Sequence, residues 1–208
     1  MQPDDKFMFA RWLNLRTHMG AKGDFHKSYI ELVNRYSESH RVYHTIDHIK
    51  QCLYELDFVN WQCWQPSMVE LAIWYHDIVY DTTRNDNEYR SGQLLTSSYN
   101  SSYYDLSTGV QLIQETKTHI PIDRSNQDSL IMIDIDLSIL GQDTEQFNKY
   151  NNGIRQEYCW VPDQEFVENR RLFLNRLLAR SSIYYTIYFQ NKYEEKARCN
   201  ISDALAKL

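Results

Sequence analysis

The chain has 208 residues, of which 42% are hydrophobic, and it carries a net charge of −6. This length suits one domain with a sizeable core, and the acidic balance argues against a protein that binds nucleic acid through a basic face. Glycine and proline are scarce, with six and four residues, so helices joined by short polar links are favoured over sheets and tight turns.

Apolar residues recur at helical spacing in the first part of the chain. A short helix is predicted from Phe7 to Leu15, and Asp24 is a candidate N-cap for a second one. The spacing from Ile49 to Val59 is helical again. It places His48 on this third helix and His44 one turn earlier, so that the two rings share one face if the helix has begun.

A capping-box pattern precedes the next helix, with Ser67 expected at the N-cap and Glu70 at the N3 position. This helix carries His76 and Asp77 near its far end, about three turns along. The segments after it are expected to be a polar loop (82–87), a helix from about Glu88 through Leu95, and a surface loop (96–102).

The second half is predicted to be helical as well. Residues 129–140 alternate in a way that also suits a strand, but the flanking segments are helical and no second strand candidate exists for pairing, so context favours a helix. The further predicted helices are Leu106–His119, one capped by Asp143 with Gln146, Asp163–Ala179, and about Tyr193–Leu208. Together they predict one all-α domain over residues 1–208.

Histidine and acidic residues interrupt segments that are otherwise apolar. His76 and Asp77 interrupt one such segment, and Asp134 and Asp136 interrupt another. Burying an ionised carboxylate without a partner costs several kcal/mol. A shared cation is an economical explanation for both segments, and imidazole with carboxylate suits Mn²⁺, Fe²⁺, Zn²⁺, Mg²⁺ or Co²⁺.

The order of these residues resembles the HD-domain superfamily of metal-dependent phosphohydrolases. That signature is a histidine, a His-Asp doublet and a later aspartate on an all-helical scaffold, matched here by His48, His76, Asp77 and Asp136. The similarity to a bacterial family of predicted HD phosphohydrolases spans nearly the whole chain. It is carried by Arg41–His44, Trp74–Asp81, Asn87-Glu88, Asp134–Gly141, Ile154–Tyr158 and Glu195–Asn200.

Roles are implied by a more distant similarity, to cyclic nucleotide phosphodiesterases. Their Tyr-His-Asn-x-x-His segment is similar to residues 43–48, with Thr45 in place of asparagine. In that segment the second histidine binds metal and the first donates a proton, which implies that His48 is a ligand and His44 the proton donor. Their Asp-Leu-Ser matches the segment that begins at Asp136, which selects Asp136 over Asp134 as the last ligand.

The resemblance therefore implies a hydrolase that cleaves a phosphate ester of a nucleotide or another small phosphorylated metabolite, by attack of metal-activated hydroxide. The implied ligands of one or two divalent ions are His48, His76, Asp77 and Asp136, with His44 and Asp77 as catalytic residues. Some HD proteins use an extra histidine in this part of the chain to bind a second metal or phosphate. His119 either has this role or is an ordinary residue at a helix end. The further candidates for substrate binding are Lys117, Arg155, Asp81 and Glu88, whereas His18, His26 and His40 are expected at the surface.

Two other functions stay open. An HD-fold di-iron oxygenase would need more histidine ligands than the chain offers, and a non-catalytic protein could keep the site for binding a metal or a ligand. The four cysteines are widely spaced, which predicts reduced thiols in the cytoplasm, and no run approaches the ~18 apolar residues needed to span a membrane. A small phosphorylated substrate is the expected partner, and the oligomeric state is left open.

Overall fold

Helices make up the described part of the chain, which in this computed structural model is residues 3–98 and 105–208. No strand occurs in these residues, so the all-α prediction is confirmed. No helix within these ranges is both long enough and apolar enough to cross a membrane. The α-helices are α1 (Pro3–His18), α2 (Phe25–Tyr36), α3 (Ile46–Val59), α4 (Pro66–Tyr75), α5 (Asn87–Ser98), α6 (Ser107–Thr116), α7 (Gln127–Asp136), α8 (Thr144–Glu157), α9 (Asp163–Leu178) and α10 (Ile187–Lys207).

Two of the predicted N-caps are confirmed. The side chain of Asp24 accepts a hydrogen bond of 2.9 Å from the backbone N–H of Lys27, and Asp143 accepts one of 2.8 Å from Gln146. Each bond satisfies an N–H group that has no partner inside its own helix. The polar residues before α2 and α8 thus fix where these helices begin.

The helix that carries His48 begins at Ile46, after His44. Its N-cap is Thr45, whose hydroxyl accepts a hydrogen bond of 3.3 Å from the N–H of Asp47. His48 lies in the first turn of α3, as predicted, but His44 precedes the cap and is not helical. The two rings share one helical face only if the helix has begun at His44, and this condition is not met, because the chain is still extended at Thr45.

The predicted capping box of α4 was also wrong. The helix begins at Pro66, with Gln65 as the N-cap, and no side chain of α4 itself caps it. Proline is suited to the first helical position because its fixed φ is already helical and its missing N–H needs no partner. The N–H of Gln65 donates instead to Asp128 of α7, at 3.0 Å, and Glu70 forms an ion pair with an arginine of α1.

Two further boundaries differ from the predictions. α5 continues through Ser98, so the start of the expected surface loop 96–102 is helical, and residues 99–102 of that loop lie outside the described residues. α10 begins at Ile187, well before the predicted Tyr193. Its added first turn places another aromatic side chain in the core, which stabilises the longer helix.

The ambiguous segment 129–140 is helical, as context predicted. It forms most of α7 and then a 3₁₀ turn at Leu137–Gly141. Ile131, Ile133 and Ile135 are at most 1% exposed. Because α7 is enclosed by other helices on several sides, most of its residues are buried, polar ones included, and this hides the helical period.

The central helix α4 brings the candidate ligands together. It packs against α3, α6 and α7, and α3 and α7 also contact each other. His48 lies in the first turn of α3, His76 follows the last residue of α4, and Asp136 ends α7. The neighbouring ends of three buried helices therefore meet at one point.

Candidate metal centre

His76 directs its Nε2 atom towards this meeting point. Its Nδ1 atom lies 2.9 Å from the backbone oxygen of Ile73. A carbonyl oxygen can only accept a hydrogen bond, so Nδ1 carries the proton and donates it. The lone pair of a neutral His76 is therefore on Nε2, the atom that faces the other candidate ligands.

His48 is oriented in the same manner. Its Nδ1 atom lies 3.0 Å from the hydroxyl of Tyr43, and its Nε2 atom lies 3.1 Å from Nε2 of His76. A hydrogen-bond partner on the outer ring nitrogen is typical of metal-binding histidines, because it fixes the tautomer and the plane of the ring.

Two carboxylates complete the cluster. Oδ2 of Asp77 lies 3.0 Å from Nε2 of His76 and 3.5 Å from Nε2 of His48. Oδ1 of Asp136 lies 3.5 Å and 3.4 Å from the same two atoms. Ligand atoms of His48, His76 and Asp136 all lie within 4.8 Å of one another. Two imidazole nitrogens and two carboxylates around one point form a donor set that fits a divalent metal ion.

The charges of the cluster support this fit. Burial raises the pKa of Asp77 and of Asp136, but the neighbouring imidazoles outweigh burial and hold both values below the usual range. Burial lowers the pKa of His48, whereas at His76 the two carboxylates outweigh burial and raise the pKa well above normal. The carboxylates thus draw positive charge to this point, as a proton on His76 or as a metal cation.

Asp134 has a different role from Asp136. Its carboxylate accepts hydrogen bonds of 2.7 Å from the N–H groups of Tyr185 and Thr186, and one of 2.8 Å from the Thr186 hydroxyl. It therefore anchors the start of α10 and lies apart from the cluster. Of Asp134 and Asp136, the structure brings Asp136 to the histidines.

His44 lies beside the cluster without entering it. Its Nε2 atom is 4.0 Å from Oδ2 of Asp77, and its Nδ1 atom is 2.7 Å from Oε2 of Glu157. Burial lowers the pKa of His44, but Asp77 and Glu157 outweigh it, so the pKa is raised. A ring that holds its proton more firmly, next to a metal site, is suited to donating that proton during a reaction.

Glu157 is a functional candidate that sequence reasoning missed. Its buried Oε1 atom accepts hydrogen bonds of 2.7, 2.7 and 2.9 Å from the N–H groups of Val42, Tyr43 and His44. Its Oε2 atom accepts a bond of 2.9 Å from the hydroxyl of Tyr80. Burial raises the pKa of Glu157, but His44 and these donors outweigh it and bring the pKa to about 2. The segment Ile154–Tyr158 contributed to the family resemblance, and this was the only feature of the sequence that pointed to Glu157.

His119 contacts the cluster from the opposite side. Its Nε2 atom lies 3.0 Å from Oδ2 of Asp136. Its backbone φ is +52°, a left-handed conformation that costs free energy in any residue with a Cβ atom. The guanidinium of Arg180 and the hydroxyl of Tyr185 hold it there, donating to its backbone oxygen at 2.8 and 3.1 Å.

A cavity of about 570 Å³ opens onto the cluster. Asp77, Asp136, His44 and His119 form its polar end. Its volume lies within the range of small-molecule sites, about 300–1,000 Å³. Its remaining wall is rich in aromatic rings: Tyr43, Tyr80, Tyr150, Tyr158, Trp160, Phe166 and Phe173.

Two of the other predicted substrate residues, Glu88 and Lys117, line this cavity. Burial, followed by the charge of Asp77, raises the pKa of Glu88. The ammonium of Lys117 donates to the backbone oxygen of Asn85, which holds it at the mouth of the cavity.

The structure does not bring Arg155 and Asp81 to the site. Arg155 donates to the carboxylate of Asp163 and to nearby backbone oxygens, which fixes the turn after α8. Asp81 is exposed, and its Oδ1 atom accepts hydrogen bonds from the N–H and the hydroxyl of Thr83. The charged groups of Arg155 and Asp81 therefore stabilise local turns. The remaining histidines, His18, His26 and His40, are exposed as predicted.

Comparisons of the chain with models of protein families, with curated proteins and with solved structures found no match. Membership of the HD superfamily therefore stays a prediction that rests on the motifs of the sequence. The geometry of the cluster and its cavity is the structural basis for a proposal about function.

Proposed function

We propose that the chain is a metal-dependent phosphohydrolase of the HD type, which cleaves a phosphate ester of a nucleotide or of another small phosphorylated metabolite. One observation carries the proposal: His48, His76, Asp77 and Asp136 converge at the end of a cavity, and His44 lies beside them. A ligand cluster next to a separate proton donor is what hydrolysis of an ester requires.

A divalent ion held by these side chains supplies Lewis-acid activation of water and neutralises charge on phosphoryl oxygens. The residues have separate parts in the reaction. His48, His76 and Asp136 hold the ion through atoms that already face one another. Asp77, with Oδ2 between this cluster and His44, both binds the ion and accepts a proton from the attacking water.

His44 is the general acid in this proposal. A bond forms between the water oxygen and phosphorus, and the bond from phosphorus to the ester oxygen breaks. The protonated ring of His44 gives its Nε2 proton to that departing oxygen, while Nδ1 stays bonded to Glu157. Proton transfer of this kind contributes about 10²- to 10⁴-fold in rate.

The cavity supports a substrate with a planar or ring-shaped group. Aromatic side chains form much of its wall, among them Tyr80, Tyr158 and Trp160. Stacking on such rings is worth about 1–3 kcal/mol for a nucleic-acid base. A nucleotide whose phosphate lies at the carboxylate end and whose base lies against the rings matches both ends of the cavity.

A substrate screen tests the proposal. Protein purified without chelator is analysed for bound metal and then supplied with Mn²⁺, Co²⁺ or Mg²⁺ and a panel of nucleotides, sugar phosphates and aryl phosphates. We expect hydrolysis of at least one ester class, and none by a His76→Ala variant. Absence of hydrolysis with iron-dependent oxygen uptake would establish a di-iron oxygenase instead. Full metal occupancy without any turnover would establish a binding protein.

A further inference from the structure

Three arginines lie near one another, and one of them, Arg180, contacts the backbone of His119. Arg180 follows the end of α9, Arg176 lies in the last turn of that helix, and Arg124 lies between α6 and α7. The guanidinium carbons of Arg124 and Arg180 lie 5.9 and 5.7 Å from the centre of the Tyr185 ring. None of the three lines the cavity described above.

These positive charges are not neutralised by neighbouring acids. In residues 3–98 and 105–208, no carboxylate oxygen lies within 4.0 Å of a guanidinium nitrogen of Arg124, Arg176 or Arg180. Asp134 is the acid near enough to favour the charge of Arg180, and its oxygens are occupied by backbone and hydroxyl donors. A helix C-terminus stabilises one cation, which accounts for Arg176 alone. The gathering of three is unusual in a chain whose net charge is −6.

Two buried polar atoms at this place lack hydrogen bonds. Nη1 of Arg180 and Nδ1 of His119 are covered, yet neither has a partner among the described residues. Leaving such an atom unpaired costs about 1–3 kcal/mol, so native proteins seldom do it unless a water or an ion belongs there. The Nη2 atom of Arg180 is engaged, since it donates to the backbone oxygen of His119.

We propose that Arg124, Arg176 and Arg180 bind the phosphate group of a small ligand at a site separate from the metal centre, and that this ligand acts on the metal centre through His119. Guanidinium groups present their N–H donors in a planar fork that matches phosphate oxygens. A phosphate group among them, with a charge of about −1.5 to −2, would offset part of the positive charge that the protein itself leaves unpaired. This site does not depend on hydrolysis, so it goes beyond the proposed function.

His119 provides the connection between the two sites. Arg180 holds its backbone oxygen at 2.8 Å, and its ring lies 3.0 Å from the Asp136 carboxylate. Its left-handed backbone is maintained by such contacts and is not an intrinsic preference. When a phosphate group binds Arg180, the hydrogen bond from Arg180 to the backbone oxygen of His119 changes. The His119 ring, which contacts Asp136, moves with it.

Binding of inorganic phosphate to the full chain, freed of metal by a chelator, tests the site. We expect a saturable isotherm by calorimetry at constant ionic strength. In the double variant Arg124→Gln/Arg176→Gln, which keeps Arg180, the affinity should fall at least ~10-fold. The matched variant Arg90→Gln/Arg171→Gln removes two exposed arginines elsewhere and should bind as the wild type does. Thermal melts of both variants establish that they are folded.

Two further measurements separate the outcomes. A His48→Gln variant, which removes a cluster imidazole that could hold an anion in the metal-free protein, should bind phosphate as the wild type does. Loss of phosphate binding in this variant would place the anion at the metal cluster and overturn the proposal, as would equal affinities for the wild type and Arg124→Gln/Arg176→Gln. Phosphate should also shift the ring signals of His119 in NMR spectra of the wild type only. Binding without that shift would overturn the connection to the metal centre.

Discussion

The Nε2 atoms of His48 and His76 lie 3.1 Å apart, although the residues are 28 positions apart in the sequence. The proton of a neutral His76 is on Nδ1, where it donates to the backbone oxygen of Ile73, so the Nε2 lone pair of His76 faces His48. A metal ion fits this approach, because the Nε2 lone pairs of both rings can bind the same cation. The approach of these two rings is therefore the structural basis of the metal proposal.

Removing one of these rings should remove the metal. In a His76→Ala variant, we expect the affinity for Mn²⁺ or Co²⁺ to fall by at least ~100-fold, because changes to the partners of ligands alone already cost 10- to 100-fold. Hydrolysis should be lost with it. A His18→Ala variant, which removes an exposed histidine, is the control. Equal metal affinities in the two variants would show that the metal binds elsewhere.

His44 should affect turnover without affecting the metal. We expect His44→Gln to keep the metal affinity of the wild type and to hydrolyse alkyl phosphate esters about 10²- to 10⁴-fold more slowly. Esters of p-nitrophenol should lose much less, since that leaving group departs without being protonated. An equal loss on both kinds of ester would argue against a role as general acid, and a loss of metal would make His44 a ligand.

Glu157 should make the fold sensitive to acid. Its pKa is about 2 in the folded protein, against 4.5 without the fold. Because the folded-state pKa is depressed, the stabilisation is present above pH ~4.5 and is lost as the pH falls towards ~2. We expect the free energy of unfolding of metal-free wild type to fall about 2 kcal/mol more than that of Glu157→Gln between pH 6 and pH 3.

Urea unfolding at the two pH values measures this difference. A Glu195→Gln variant, which changes an exposed glutamate, should behave as the wild type does. If Glu157→Gln loses as much stability as the wild type over this range, the hydrogen bonds to Glu157 do not depress its pKa. If Glu157→Gln also turns over more slowly with an unchanged metal affinity, this would show that Glu157 positions His44.

Asp134 and Asp136 should differ in their effects on stability and on metal binding. An Asp134→Asn variant places an amide N–H₂ against the donors of Tyr185 and Thr186, so we expect a loss of about 1–3 kcal/mol in stability and an unchanged metal affinity. Asp136→Asn should do the reverse, with weaker metal binding and little loss of stability. Denaturant unfolding and a metal titration of each variant distinguish the two roles.

Part of this arrangement could be predicted from the sequence, because it depends on local chemistry. Asp24 and Asp143 cap helices through bonds to residues three positions away, and such short-range signals are visible in the sequence. The start of α4 was missed because its N–H donors bond to Asp128, a residue of another helix. Thr45 was missed as the cap of α3, so the sequence did not show that the helix begins at Ile46 and leaves His44 outside it.

The choice between Asp134 and Asp136 shows where spacing alone stops. Two positions in an α-helix are ~200° apart, so these side chains leave α7 in nearly opposite directions. Spacing says that they cannot both face one site, but it does not say which one does. The same limit hid Glu157, whose contacts reach back 113 to 115 positions to the backbone before α3.

Returning metal to protein that has been stripped by a chelator is the decisive experiment on the metal centre. Phosphate-ester hydrolysis is measured before and after addition of Mn²⁺, in the wild type and in His76→Ala. We expect no turnover by the stripped wild type, recovery with Mn²⁺, and no recovery in the variant. Equal turnover by the variant, or no hydrolysis of any ester by the reloaded wild type, would contradict a metal-dependent phosphohydrolase built on His76.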